Sequence, residues 1–456
     1  MSTNGGIPAI GTGGDQPLWK QPSQSRGRLD TRLRCQVVVI GGGLAGLSTA
    51  LHLTELDPNR DIVVLEADRV AAGASGRGTG LLGPRVGPPI SVARRRYGDE
   101  DTRALYQSSE HAVRHVIDLC ARHSIACDLT RATQLTVAAD AESERAMELE
   151  LEAAQALQLS IEEVPASALP TRPGQYRGGL RYPFAATLDP AALTTALARL
   201  AEQRGVRIFE RSAVRRVEYG TPTRAHTEHG EVTADRVVLT LNGFAAGLGP
   251  AGVVGMRAQA AATHPLTDDE LARVGWLGNH SLIELGQLAP YYRLTVDGRV
   301  IVGGGAVRRG VHGSSVIDRG YLAAALGLLH PSLVGLQFSH AWSGPIGMTL
   351  DSVPVIGTPN EHTLVAAGWC GHGVAMATYA GLLVAERIVT GEPHDVALWW
   401  RRRARSVPTS GPGGRALDWY LARRTEAQAN SLGNRVFRQF AATKAARAAG
   451  RVNTRR

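Results

Sequence analysis

The sequence predicts an α/β protein in which a Rossmann-type domain is interrupted by an inserted, mostly antiparallel β-sheet domain. Three observations predict it. Val37-Val38-Val39-Ile40 runs into glycines at 41, 43 and 46, followed by an apolar helical pattern from Leu44 to Leu56. Strand and helix patterns alternate again beyond Asp189 and beyond Val353. Between Val254 and Ser343 the strands carry longer side chains and include a two-residue turn, Asp297-Gly298.

Taken in order, residues 1–33 are rich in Gly, Pro, Ser and Gln and read as a flexible lead-in, with Leu18 and Trp19 as the side chains able to pack on the body. The four β-branched residues make a strand buried on both faces. Gly41 allows the tight turn, Gly43 lets backbone approach a pyrophosphate at the helix N-terminus, and Gly46 lets the helix close on the strand. Ile62–Leu65 is the next strand, and Glu66 ends it. A carboxylate there accepts hydrogen bonds from both ribose hydroxyls of an adenosine and repels a 2′-phosphate, so NADP is disfavoured. Residues 104–122 and 141–157 have helical spacing; Glu142, Glu144, Arg145, Glu148, Glu150 and Glu152 predict that the second faces solvent. Asp189-Pro190 reads as the N-cap and first position of a helix to about Arg204. Val206–Phe209, Ala213–Val217 and Arg236–Thr240 read as strands, the last leading to Asn242-Gly243. Tyr291–Val296 and Arg299–Gly303 flank Asp297-Gly298 as a hairpin. Val353–Gly357 and Thr363–Ala366 are strands, and Val374–Val389 is a long apolar helix. Residues 34–97, 186–255 and 345–395 are assigned to the nucleotide domain, and 98–185 and 256–344 to the inserted one.

At 456 residues the chain has room for two domains with sizeable cores. No run reaches the ~18 apolar residues of a membrane span. Met1 to Gly14 is polar and glycine-rich, without a charged-then-apolar signal pattern, so a cytoplasmic location is expected. Cys35, Cys120, Cys127 and Cys370 lack metal-ligand spacing and read as reduced thiols, with no metal expected. The net charge of +9 is unevenly distributed: from Trp399 onward thirteen Arg and one Lys face only Asp418 and Glu426, net +12, leaving −3 for everything before. The body is close to neutral, and the basic excess belongs to a tail, residues 396–456.

These motifs, with Gly73-Ala74-Ser75-Gly76-Arg77, Val238-Leu239-Thr240-Leu241-Asn242, Tyr291-Tyr292-Arg293-Leu294, Trp342-Ser343-Gly344-Pro345, Thr349-x-Asp351-x-x-Pro354-x-Ile356-Gly357 and Gly371-His372-Gly373-Val374-Ala375, occur in the order found in one family. Over residues 34–395 the chain resembles the D-amino-acid oxidase superfamily of FAD-dependent oxidoreductases. It is most similar to the branch containing γ-glutamylputrescine oxidoreductase, with glycine oxidase and sarcosine oxidase more distant. The resemblance implies a glutathione-reductase-like FAD-binding Rossmann domain with an inserted substrate domain. It places FAD against Gly41, Gly43, Leu44, Ala45, Gly46, Glu66, Ala67, Ala74, Ser75, Gly76, Arg77, Val214, Asn242, Gly371, His372, Gly373 and Val374. Val214 is where similar proteins read adenine through main-chain groups, and the helix after Gly371-His372-Gly373 points its positive end at the flavin edge that becomes anionic on reduction. Arg293 matches an arginine that holds a substrate carboxylate in glycine oxidase-like members, and a bridge between domains is an equal reading of it. Tyr291 and Tyr292 alternate across their strand, so one of them faces the pocket; Arg293, Tyr292 and His372 are the candidate catalytic positions. Arg85 is a candidate second anion contact. Members with covalent FAD carry a cysteine just before Thr349-x-Asp351; here the segment is Gly344-Pro345-Ile346-Gly347-Met348, which implies non-covalent FAD. Ala375 stands where some members have a carboxylate-binding lysine.

The resemblance implies oxidation of the C–N bond of a small amine or amino acid to an imine by hydride transfer to flavin N5, with O₂ reoxidising the flavin to release H₂O₂. A dehydrogenase with another acceptor is an alternative. So is an RNA-directed modification oxidase using the basic tail, although the tail lacks a nucleic-acid-binding module and reads first as a solvated face. Contact with an anionic membrane through the tail is a further reading.

Overall fold

The structure is a computed structural model that describes residues 15–20, 25–244, 248, 252–274, 280–286, 289–305, 308–311 and 317–395, together with Ala416, Trp419, Arg423 and Arg435. Apart from these four residues, the tail 396–456 lies outside the described residues.

One sheet has the lateral order Val355–Asn360, Thr363–Ala367, Glu231–Leu239, Arg32–Ile40, Ile62–Leu65, Arg207–Phe209. Its pairings are parallel except at the Val355–Asn360 edge and in the antiparallel branch where Arg216–Glu218 pairs Thr223–His226, which joins Glu231–Leu239. The continuous apolar runs follow from burial on both faces: Val37, Val39, Ile62 and Val64 pack with the helices, while Val38, Ile40, Val63 and Leu65 pack on the opposite face with Val237 and Leu239. Helix Leu44–Leu56 lies against Gly373–Val389 so closely that a Cβ on Gly381 would stand 2.5 Å from Ser48 Cβ, and Ser48 Oγ donates to Thr378 O at 2.6 Å. The third helix, Pro190–Gln203, is capped by Asp189, whose carboxylate accepts from the Ala191 and Ala192 N–H groups.

The second sheet runs Arg308–Arg309, Val254–Thr263, Val300–Gly303, Tyr291–Leu294, His280–Glu284, Thr130–Ala138, Gly178–Thr187, Leu81–Leu82, with Phe338–Met348 paired to Val254–Thr263. It is antiparallel apart from His280–Glu284 against Thr130–Ala138. The Tyr291/Val300 hairpin closes as expected, whereas the strand expected at Ala213–Val217 starts only at Arg216. Leu81–Leu82, within the first nucleotide-domain stretch of the sequence, pairs in this second sheet.

Three expectations are corrected. The charged helix Ala141–Ala156 does not face solvent throughout: Glu150 is buried, and its carboxylate accepts from Ile90 N at 2.9 Å, Ser91 N at 3.4 Å and Tyr106 Oη at 3.4 Å, so it caps the helix Ile90–Arg122 from outside. Residues 15–20 of the lead-in are docked. Asp15 accepts from Arg77, Arg257 and Ser343 and ties the segment down; Leu18 and Trp19 pack on the core as the sequence suggested, and Trp19 Nε1 donates to Gly78 O at 2.6 Å. The basic tail is not wholly separate from the body, because Arg435 forks onto buried Glu284 at 2.5 and 3.0 Å. Tyr176 Oη also donates to that carboxylate, at 2.9 Å.

All four cysteines are free, and the Sγ atoms of Cys120 and Cys127 are 3.7 Å apart. Among the described residues no His, Cys, Asp and Glu cluster is placed to hold a metal, and no helix is long and apolar enough to cross a membrane.

Candidate functional site

A cleft of about 1550 Å³ runs between the two sheets. Its floor is the turn after Arg32–Ile40. Gly41 has φ +114°, and a Cβ there would lie 2.9 Å from Thr240 O. A Cβ on Gly46 would stand 2.0 Å from Gly41 O, so only glycine lets the helix close on the strand. Gly46 and Gly76 support the cleft from behind. Gly41, Gly43, Leu44 and Ala45 line it directly. Helix Leu44–Leu56 begins there with no side-chain cap from Gly43 and no acidic residue in its first turn. Its Leu44 N–H donates to Ser75 Oγ at 2.9 Å, which joins the turn at Ala74–Gly76 to the helix start.

Glu66 and Ala67 form one end. Glu66 accepts from Gly42 N at 2.8 Å and Asp68 N at 2.9 Å, and burial holds its carboxyl above the usual carboxylate range against the pull of those N–H groups. Val214 lines the cleft beyond it. Ala74, Ser75 and Arg77 line the middle. The Arg77 side chain turns away to Asp15 Oδ1 at 2.9 Å and Ser343 O at 2.8 Å, so it clasps the two sheets and the N-terminal segment together.

Asn242, with φ +44°, accepts from Gly368 N at 3.0 Å and Trp369 N at 3.4 Å, which fixes the loop opposite. That loop continues through Gly371, φ +91°, to His372, Gly373 and Val374, all on the cleft, where Gly373–Val389 begins without a side-chain cap. Two helix N-termini therefore open on one cavity and supply free amides and positive potential. Burial, assisted by Arg85, pushes the His372 imidazole down to about 4, so it is neutral at neutral pH.

Two expected catalytic residues lie elsewhere. Tyr292 is fully buried in the core of the second sheet and donates to Ala325 O at 3.0 Å. Strand alternation puts Tyr291 on the cleft instead, its ring filling the space that a Cβ on Gly303 would take. Burial raises the Tyr291 phenol to about 12. Arg293 sits behind the wall: Nη1 donates to Gly80 O and Leu188 O, both at 2.9 Å, and the guanidinium lies 5.4 Å from the Trp19 ring. Burial lowers it to about 10, well above neutral pH. The geometry is that of a bridge between segments. Gln134 was missed by sequence; it lines the cleft from Thr130–Ala138, and its one signal is a polar residue within an otherwise foldable strand pattern.

The donor set fits an adenine dinucleotide. Uncapped amides at a glycine turn, a carboxylate at the end of the second strand and a second helix start at the far side span the length of one cleft. The family model described as "FAD dependent oxidoreductase" matches residues 36–387. Gamma-glutamylputrescine oxidoreductase of Escherichia coli is 30% identical over 365 residues, covering 78% of this chain and 84% of its own. Among solved structures, glycine oxidase from Geobacillus kaustophilus superposes with a TM-score of 0.67 at 19% identity, over 82% of this chain and all of its own. L-proline dehydrogenase from P. horikoshii gives 0.66 at 21% identity, over 81% and 97%.

Proposed function

The chain belongs to the FAD dependent oxidoreductase family, and on that premise we propose that it oxidises the C–N bond of a small amine or amino acid to an imine. The convergence of two uncapped helix starts and Glu66 on one cleft between the sheets carries this reading. When bound, FAD supplies a two-electron acceptor for hydride from the carbon next to the amine nitrogen.

The residues present account for the rest. Gly41, Gly43, Leu44, Ala45, Ala74 and Ser75 would hold the diphosphate, and Gly46 and Gly76 keep those backbones close. Glu66 and Ala67 would hold the ribose, and Val214 the adenine. Asn242 and Arg77 position the loops, and Gly371, His372, Gly373 and Val374 present the second helix start to the flavin. Trp342, Ile346, Met348 and Trp369 give the inner cleft apolar walls that exclude water and favour the uncharged amine. His372 acts through its backbone and its neutral ring, and no side-chain base is required. Non-covalent attachment is supported by the lack of cysteine in Gly344–Met348. Cys370 lines the cleft, and its Sγ accepts from Thr349 N and donates to Gly368 O, both at 3.3 Å. O₂ is proposed as the acceptor, with release of H₂O₂.

The test mixes the purified yellow protein anaerobically with a panel of amines and amino acids. Bleaching of the flavin by at least one, followed on aeration by stoichiometric peroxide, supports the reading. Bleaching without peroxide would replace O₂ by another acceptor, and no bleaching across the panel would count against amine oxidation. Acid precipitation is expected to leave the colour in the supernatant.

A further inference from the structure

Two thiols outside the cleft face each other where the helix Ile90–Arg122 ends. Cys120 lies in its last turn, and Cys127 follows a short turn on the way to the strand Thr130–Ala138. The helix stops because Ser124 takes a left-handed φ of +47°, with Ser124 N donating to Ala121 O at 3.3 Å and Ile125 N to Cys120 O at 2.9 Å. A second left-handed residue, Asp128 at φ +52°, turns the chain again. Between the two reversals Cys127 is brought against the helix end, its Sγ 3.7 Å from that of Cys120.

The pair differs from the other cysteines in ways that bear on oxidation. With Cys127 as the donor of the bond between them, the Cys120 thiol is held below its usual range and Cys127 above it, so Cys120 ionises first. Burial pushes Cys35 up to about 12, and Cys370 Sγ is engaged by Thr349 N and Gly368 O. Cys120 and Cys127 are themselves buried, but the residues that flank them, Arg122, Ser124, Ala126 and Asp128, are exposed. Local opening of such a helix end admits a reagent as small as a peroxide. The turn also leads to the cleft: Cys127 O accepts from Asp189 N at 2.7 Å, and the adjoining Leu188 N donates to Gly80 O at 3.0 Å on the cleft wall.

We propose that Cys120 and Cys127 form a redox site that a hydroperoxide converts to a disulfide, stapling the end of the helix to the start of the strand. The Cys120 thiolate attacks one peroxide oxygen and the O–O bond breaks; the departing oxygen takes a proton and leaves as water, with Cys120 now a sulfenic acid. Cys127 gives up its proton and attacks that sulfur, the S–S bond forms, and the hydroxyl leaves as a second water. Two thiols lose two electrons and two protons, and hydrogen peroxide is reduced to two waters. The site is independent of the amine chemistry, which is one source of the peroxide.

The experiment treats the full-length FAD-loaded protein with hydrogen peroxide in the absence of any amine, blocks the remaining thiols with N-ethylmaleimide and digests it unreduced with trypsin. Cleavage after Arg114, Arg122 and Arg131 puts the two cysteines on separate peptides, 115–122 and 123–131, so the disulfide is read as one linked species. Two of the four thiols should be lost, and dithiothreitol should restore both. The temperature of flavin release should rise by a few degrees on oxidation and return on reduction, because a cross-link constrains the unfolded chain. Cys127→Ser should stop at the Cys120 sulfenic acid, trapped by dimedone, and give no linked peptide. Retention of all four thiols, or their loss without the linked peptide, overturns the proposal. A linked peptide with flavin release unchanged would uphold the thiol chemistry and reject the staple. If Cys127→Ser does not fold, the wild-type linked peptide and its reversal by dithiothreitol decide.

Discussion

The cleft wall that faces the parallel sheet is made of backbone, whereas the opposite wall is made of side chains. On the first, Gly41, Gly43 and the start of Leu44–Leu56 present backbone, with no side-chain cap from Gly43 and the Leu44 N–H alone taken by Ser75 Oγ. On the second, Tyr291, Gln134 and Arg85 project from a hairpin, a central strand and a loop far apart in sequence. A backbone wall constrains consecutive residues and suits a part of the ligand that does not vary. A side-chain wall leaves the chain trace unchanged while its chemistry is altered, and so suits the part that does.

The side-chain wall also depends on a distant support. Ile283 and Leu285 line the cleft on either side of Glu284, whose buried carboxylate holds Arg435. Arg435→Ala would leave that charge with the Tyr176 hydroxyl alone, and is expected to lower unfolding stability by about 3–5 kcal/mol, the range for a buried pair broken on one side. Flavin content per folded chain should hold, since the backbone wall does not touch this pair. Urea unfolding with flavin absorbance checks both; a variant as stable as wild type would break the proposed dependence of the second wall on the tail. Removing both charges with Arg435→Met and Glu284→Gln should recover part of the loss.

The same contrast explains what was legible in the sequence. Glycine spacing, a β-branched run and a terminal acid marked the backbone wall residue by residue, because each glycine answers a contact: 2.0 Å at Gly46, 1.9 Å at Gly76. The Asp297-Gly298 hairpin was legible from its turn. Which of Tyr291 and Tyr292 faces the cleft was not, since alternation gives two faces and only the packed sheet chooses between them. Glu150 looked like a solvent charge because its partners, the Ile90 and Ser91 N–H groups, come from a helix start 60 and 59 residues earlier. Arg435 was hidden in a charge run for the same reason, with its partner 151 residues away.

Arg293 sharpens the comparison from the other side, because it belongs to the side-chain sheet yet hydrogen-bonds only to backbone carbonyls, Gly80 O and Leu188 O. Arg293→Met removes the bonds to Gly80 O and Leu188 O and is expected to cost about 1.5–3 kcal/mol of stability. Any rise in KM should be the same for carboxylate-bearing and bare amines. A rise confined to acids would return the carboxylate to Arg293 and make the second wall legible from family position after all.

The smallest expected effect lies on the backbone wall itself, at its carboxylate, Glu66. Glu66→Ala is expected to weaken FAD retention by about 1–2 kcal/mol, the range for losing hydrogen bonds to a carboxylate that Gly42 N and Asp68 N already share. Glu66→Asp should lose less. Burial raises the Glu66 carboxyl, and the ionised form is the one that accepts from ribose, so retention in wild type should weaken as pH falls through that raised value. In Glu66→Ala this acid limb should be absent. Equilibrium dialysis of FAD across pH distinguishes the cases: an unchanged acid limb in the alanine variant would assign the titration to another group and leave the glycine turn as the sole basis of nucleotide binding on that wall.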